Sequence, residues 1–155
     1  MPELITTILS VIKIIPEFSE MINKLVRDSK GTKRSLILEM RANVDVIQLY
    51  LDGEASLDNV ISKLETTKLE KALDSSFNLN TIKFGKVKEE STGGIPFYQQ
   101  YVGWTTEALF ENLYLKIKAL KTFVEIEPKN YHMRKNVRLI NVLKLIKLLT
   151  IHIGE

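Results

Sequence analysis

The first twenty-five residues place apolar side chains at alternating steps of four and three, the spacing of one continuous face on an α-helix. Apolar neighbours such as Ile5, Ile12 and Ile14 widen this stripe beyond what a two-stranded coiled coil needs. A helix with so wide an apolar face needs several others to cover it, so the pattern predicts a helical bundle. We call this continuous apolar face the N-terminal seam; its residues are Leu4, Ile8, Val11, Ile15, Phe18, Ile22 and Leu25.

Helical spacing and capping signals recur along the rest of the chain. Gly53 provides a C-terminal stop, Ser56 and Thr105 are suitable N-caps, and Pro128 ends a helix. The sequence TKLE at 67–70 has the form of a capping box, which predicts that a short helix begins there. The predicted helices after the seam cover about 36–51, 57–65, 67–74, 105–127 and 130–153.

The chain has no convincing strand pattern. Only residues 79–87 (LNTIKFGKV) suggest a strand, and that stretch is short. A chain of 155 residues, 45% hydrophobic and 26% charged, with no internal repeat, is typical of one globular domain. We therefore expect a single all-α domain over residues 1–155, a bundle of about five helices with a long ordered connection from about 75 to 104.

Residues suited to catalysis or metal binding are scarce. The chain has no cysteine and only two histidines, His132 and His152, and neither has the Glu-x-x-His spacing of a metal site in a bundle. The glycines in TGG at 92–94 lack the other residues of a phosphate-binding loop. The sequence therefore predicts no metal, no cofactor and no catalytic set, and His152 is interpreted as structural.

Signals for export or membrane insertion are also weak. Lys13 and Pro16 interrupt the apolar N-terminal stretch, which is too short to span a bilayer and has no basic segment before it. The lack of cysteine fits a reducing compartment. We expect a cytoplasmic protein without a membrane partner.

The stretch STGGIPFYQQYVGW at 91–104 contains the only tryptophan. Pro96 suits the first position of a short helix to Val102, and Gly103 can end it. The interpretation we favour is a lid over the bundle, and the alternative is a surface that binds a partner or stacks a base. The candidate surface residues are Phe97, Tyr98, Tyr101 and Trp104.

Charge is distributed unevenly along the chain. Residues 128–155 carry six basic side chains and one acidic one, a net charge of +5, whereas the whole chain has +3. Such a segment can neutralise phosphates, and the basic sequence RDSKGTKR at 27–34 is a possible second contributor. The basic residues farther along the last helix spiral around it instead of clustering. The candidate anion-binding residues are Lys129, Arg134, Lys135 and Arg138.

Plentiful apolar faces and scattered polar groups favour a non-catalytic helical interaction or assembly module. Its partner would be another protein or a second copy of the chain. The alternative is a nucleic-acid-binding accessory protein that uses the basic C-terminal region. A third interpretation is an enzyme whose site assembles from scattered residues.

Overall fold

The computed structural model describes residues 18–155, and in that part of the chain the fold is all-α, which confirms the predicted fold class. Lys86 and Thr105 form an isolated antiparallel bridge, and no strand is present among these residues. Two short 3-10 helices, Leu79–Thr81 and Glu89–Thr92, lie in the connection between α4 and α5. The α-helices are α1 (18–28), α2 (Gly31–Leu51), α3 (Leu57–Ser62), α4 (Thr67–Asp74), α5 (Pro96–Gln99), α6 (Thr106–Ile126) and α7 (His132–Gly154).

Helix α7 is the centre of the bundle. From Leu139 to Ile153 its side chains are buried or half-buried on every side, and α6 packs along it after a short connection. The Tyr50 hydroxyl, at the end of α2, donates a hydrogen bond of 2.8 Å to Asn136 near the start of α7. At the opposite end, Leu25 of α1 packs beside Gly154. Helix α2 therefore runs antiparallel to α7.

The described part of the N-terminal seam contributes to this core. Phe18 and Ile22 are buried, and Leu25 packs against the same cluster of apolar side chains. The other seam positions, Leu4, Ile8, Val11 and Ile15, lie outside the described residues.

Local capping signals identified three helix starts correctly, although one of the three predicted caps does not form. The Thr105 and Ser56 side chains accept hydrogen bonds from the N–H groups of Ala108 and Asn59, at 3.2 and 3.4 Å. The short helix predicted at 67–74 is confirmed as α4, but the capping box does not form, because Thr66 is the N-cap and its side chain makes no capping bond. Instead the Glu39 carboxylate of α2 accepts from the N–H groups of Lys68 and Leu69, at 2.6 and 3.1 Å.

Helix α3 ends at Ser62, three residues earlier than the spacing predicts. The cause is a buried side chain on α2. The Asn43 amide donates to the carbonyl oxygen of Glu65 at 2.9 Å and accepts from the Glu65 N–H at 2.8 Å. This pair of bonds satisfies the backbone of Glu65 outside a helix.

The connection between α4 and α6 is ordered and anchored. The Val87 N–H donates to the Trp104 carbonyl and the Gly103 N–H donates to the Val87 carbonyl, both at 2.9 Å. Gly103 has a φ of +86°, which a residue with a side chain rarely adopts. Because this pairing takes the backbone out of a helix, α5 stops at Gln99, short of the predicted end at Val102.

Candidate docking surface

The aromatic residues of the α5 region do not form an open platform. Tyr98 and Tyr101 are only 2% and 1% exposed, and burial raises the pKa of both hydroxyls. Phe97 and Trp104 are half-buried and pack against the core. The rings of Tyr101 and Trp104 meet edge to face with centroids 4.9 Å apart. The contacts of this segment are thus mainly with the rest of the chain, and its role as a lid or as a binding surface stays a prediction.

A buried polar chain lies at the start of α6. The Thr106 hydroxyl donates to the carbonyl oxygen of Lys83 at 2.6 Å, so its bond of 2.9 Å to His152 Nε2 places the imidazole proton on that nitrogen. His152 Nδ1 is then a buried acceptor without a partner among the described residues. Burial is the main cause that lowers the pKa of His152. These contacts give His152 a structural role between α7 and the connection.

Of the four candidate anion-binding residues, Lys135 is fully buried. Its ammonium donates to both carboxylate oxygens of Asp58, at 3.1 and 3.2 Å, and to the carbonyl oxygen of Glu127 at 2.6 Å. All three donor hydrogens therefore have acceptors within the fold. Lys135 joins α3 to α7, and its charge is already balanced by Asp58.

Lys129 lies in the exposed turn between α6 and α7. Lys129 and Tyr131 both have left-handed backbones, with φ of +63° and +56°. Each costs on the order of 1 kcal/mol in a residue other than glycine, so surrounding contacts have to hold the turn in place. One such contact is a hydrogen bond of 2.6 Å from the Lys129 N–H to Asp58. Burial alone would raise the pKa of Asp58, but this bond and Lys135 hold it below its usual value.

A cleft of about 640 Å³ opens between this turn and α3. Its polar lining is mostly uncharged, and Asp58, its carboxylate, is already bound by Lys135 and Lys129. The described lining therefore offers hydrogen bonds without a convergent catalytic group. It includes Tyr50, Ser56, Asn59, Ser62, Asn130 and His132.

Arg134 and Arg138 are exposed, and each lies over an aromatic ring. The Arg138 guanidinium carbon is 4.9 Å from the centroid of Phe123, and that of Arg134 is 5.6 Å from the centroid of Tyr131. The two rings are themselves 5.6 Å apart. The arginines are thus positioned side by side at the start of α7.

The basic stretch at 27–34 does not join these arginines. It lies where α1 meets α2, next to the C-terminal end of α7, whereas Arg134 lies in the first turn of α7. Helix α7 has 23 residues, and at about 1.5 Å per residue the two basic regions are about 30 Å apart. They do not form one continuous basic patch.

The most exposed apolar side chains of α6 lie outside the residues that the sequence pattern indicated as functional. Leu115 and Ile126 are 62% and 70% exposed, and Ala119 lies on the same face between them. The signal was present, because steps of four and seven residues return to one side of a helix. This face points opposite to the buried residues of α6, such as Leu113 and Leu120.

The two edges of this face differ in charge. Lys116 and Phe123 lie on the edge toward α7, where Lys116, Ala119, Leu120, Arg138 and Asn141 line a shallow groove of about 220 Å³. Most acidic residues of α6 lie toward the other edge, which contacts α4 through the ion pair of Lys118 and Glu70 at 2.9 Å. We call the exposed face together with its edge toward α7 the α6–α7 surface; its residues are Leu115, Lys116, Ala119, Thr122, Phe123, Ile126, Arg134 and Arg138.

Comparison of the chain with protein-family models, with curated proteins and with solved structures gave no match. Within residues 18–155, no three histidine, aspartate or glutamate side chains converge to hold a metal ion. Among the helices of that same region, none combines the length and the apolar character needed to cross a bilayer.

Proposed function

We propose that this protein is a non-catalytic, cytoplasmic interaction module that binds another protein through the α6–α7 surface. The observation that carries the proposal is the exposure of Leu115 and Ile126 beside a groove bordered by Arg138. The proposed cytoplasmic location rests on the lack of cysteine.

Burial of these side chains would supply binding energy. Covering a leucine or isoleucine fully contributes about 1.5–3 kcal/mol, and Leu115 and Ile126 retain most of that gain because they are largely exposed. Protein interfaces commonly combine such an apolar centre with aromatic and arginine side chains. Phe123, Arg134 and Arg138 provide these residue types next to it.

Site-specific photo-crosslinking would test the proposal. A benzophenone amino acid replaces Ala119, in the middle of the α6–α7 surface, and a matched variant carries it at Asp45, an exposed residue of α2. We expect a discrete protein adduct from cell extract at position 119 only. The adduct should resist nuclease and disappear when Leu115 and Ile126 are both changed to Asp.

Equal crosslinking at positions 45 and 119, or an adduct that persists in the Leu115→Asp, Ile126→Asp variant, would contradict the proposed surface. Both substitutions replace exposed side chains, so the variant should stay folded. Its circular dichroism and melting temperature check this.

A second candidate function is nucleic-acid binding. It is favoured by three exposed or half-exposed cations on one surface, Lys116, Arg134 and Arg138, the two arginines being stacked on aromatic rings. A mobility-shift titration with labelled RNA and DNA at several salt concentrations tests it. Affinity should fall steeply with salt and drop further when both arginines are changed to Gln.

A further inference from the structure

We infer that the partner segment is an acidic amphipathic α-helix that lies along the groove between α6 and α7. This inference rests on the proposed function and specifies the chemistry of the partner. It follows from the shape of the α6–α7 surface, from the distribution of charge on it and from the position of its arginines.

The shape fits a helix. Leu115 and Ile126 are eleven residues apart on one face of α6, which corresponds to about 16 Å along its axis. That length matches about three turns of a partner helix with apolar residues at positions i, i+4, i+7 and i+11. The small side chain of Ala119 lies between them and allows a close approach of the partner backbone.

The charge selects carboxylates. Lys116, Arg134 and Arg138 border the apolar centre on the side of α7, whereas Glu107 and Glu125 of α6 lie toward the edge that contacts α4. Glu111 lies one turn before Leu115, at the end of the surface away from the two arginines. A second copy of the chain that docked with its arginines against this groove would bring like charges together, which is unfavourable. A nucleic acid would place phosphates against Leu115 and Ile126 and leave their apolar surface without a complement. An acidic helix with an apolar stripe satisfies both parts of the surface.

The arginines are already held in position for carboxylates. Ring contacts at 4.9 and 5.6 Å restrict the guanidinium groups of Arg138 and Arg134 before any partner binds. A planar guanidinium binds a carboxylate through two parallel hydrogen bonds, and a restricted one loses less conformational freedom when it does so.

Selection from a peptide library tests this inference on the full chain. The probe is a displayed library of helix-templated 16-residue peptides with random outward positions. We expect the enriched peptides to carry net negative charge and an apolar stripe. Binding should weaken at least about tenfold with Arg138→Glu and with Leu115→Glu, because these changes remove a charge pair and an apolar contact at the centre. The matched control is Lys63→Glu, a charge reversal at the exposed residue that follows α3, which should leave binding unchanged.

The possible outcomes separate the two proposals. Enriched peptides that need Leu115 but are neutral or basic would overturn the acidic helix and leave the proposed function intact. Peptides insensitive to both Leu115→Glu and Ile126→Glu would overturn both. Displacement of the peptides by RNA at physiological salt would support nucleic-acid binding and reject the acidic helix. If Arg138→Glu lowers the melting temperature, Arg138→Gln removes the charge without reversal and serves in its place.

Discussion

The ammonium of Lys135 and the carboxylate of Asp58, 77 residues apart in the chain, form an ion pair in which the lysine is entirely buried. This pair connects α3 to the start of α7, and the Asp58 carboxylate also accepts a hydrogen bond from the N–H group of Lys129. A single carboxylate therefore fixes both the packing of a helix and the backbone of an exposed turn.

Removal of Asp58 should leave a buried charge without its counterion. We expect Asp58→Ala to lower the free energy of unfolding by about 3 kcal/mol, near the low end for a broken buried pair because Asp58 is partly exposed. The double variant Asp58→Ala, Lys135→Met should recover part of the loss. Urea unfolding of the single and double variants measures these free energies. A double variant less stable than Asp58→Ala would show that Lys135 without its carboxylate partner does not destabilise the fold.

The same carboxylate should contribute to acid sensitivity. The pKa of Asp58 is lower in the folded protein than its usual value, so its contribution to stability is present above that value and is lost as the pH falls through the folded pKa. Unfolding curves from neutral pH to about pH 2 should show a smaller acid-dependent loss for Asp58→Asn. Identical pH dependence in both proteins would show that other carboxyl groups cause the loss.

His152 should destabilise the fold when it is protonated. Burial lowers its pKa, so the neutral imidazole is favoured in the folded state, and stability should decrease as the pH falls below about 6.5, the value in an unfolded chain. His152→Gln should flatten this dependence. NMR titration of the His152 imidazole provides the direct measurement, and a His152 pKa above that of the unfolded chain would contradict this destabilisation.

The aromatic segment offers a test of the lid. Tyr101→Ala should cost roughly 3–5 kcal/mol, the range for a large buried aromatic side chain, while Gln100→Ala at an exposed neighbour should cost little. Trp104 fluorescence should be blue-shifted and poorly quenched at low protein concentration. A freely quenched Trp104 together with a stable Tyr101→Ala protein would instead favour a binding surface at this segment.

Glu39 should act as the N-terminal cap of α4 from outside that helix. Glu39→Ala removes the acceptor of two backbone N–H groups and is expected to cost about 1–2 kcal/mol. Glu39→Gln keeps one acceptor oxygen and should cost less. The exposed Asp45→Ala on the same helix is the control, and equal stability of Glu39→Ala and Asp45→Ala would contradict the capping role.

The sequence predicted the features that depend on residues close together in the chain, such as helix ends. Thr105 and Pro128 bracket α6 because an N-cap and a helix-breaking ring act within one turn. Contacts across the chain were not predictable in this way. The cap from Glu39 comes from a residue 29 positions before Lys68, and the burial of Lys135 depends on Asp58 in another helix. Composition alone placed Lys135 among the surface cations, where most lysines lie.

Only some residues of the α6–α7 surface could be predicted from the sequence. Arg134 and Arg138 were identified from their charge, but their role depends on Phe123 and Tyr131 in the neighbouring helix and turn. Leu115 and Ile126 share a helical face that the spacing reveals, yet their exposure depends on which side of α6 meets α7 and α4. A sequence pattern shows that a helix has two faces, and tertiary packing determines which residues remain uncovered.

The central position of α7 has a consequence for biosynthesis. A ribosome completes α1 to α6 before it makes the helix against which several of them pack. Until α7 emerges, the apolar faces of α2, α3 and α6 lack their common partner, so this unit should reach its native packing only after translation of that helix. A nascent chain stalled after residue 131 should therefore be cleaved rapidly by protease, whereas a chain with α7 outside the exit tunnel should resist.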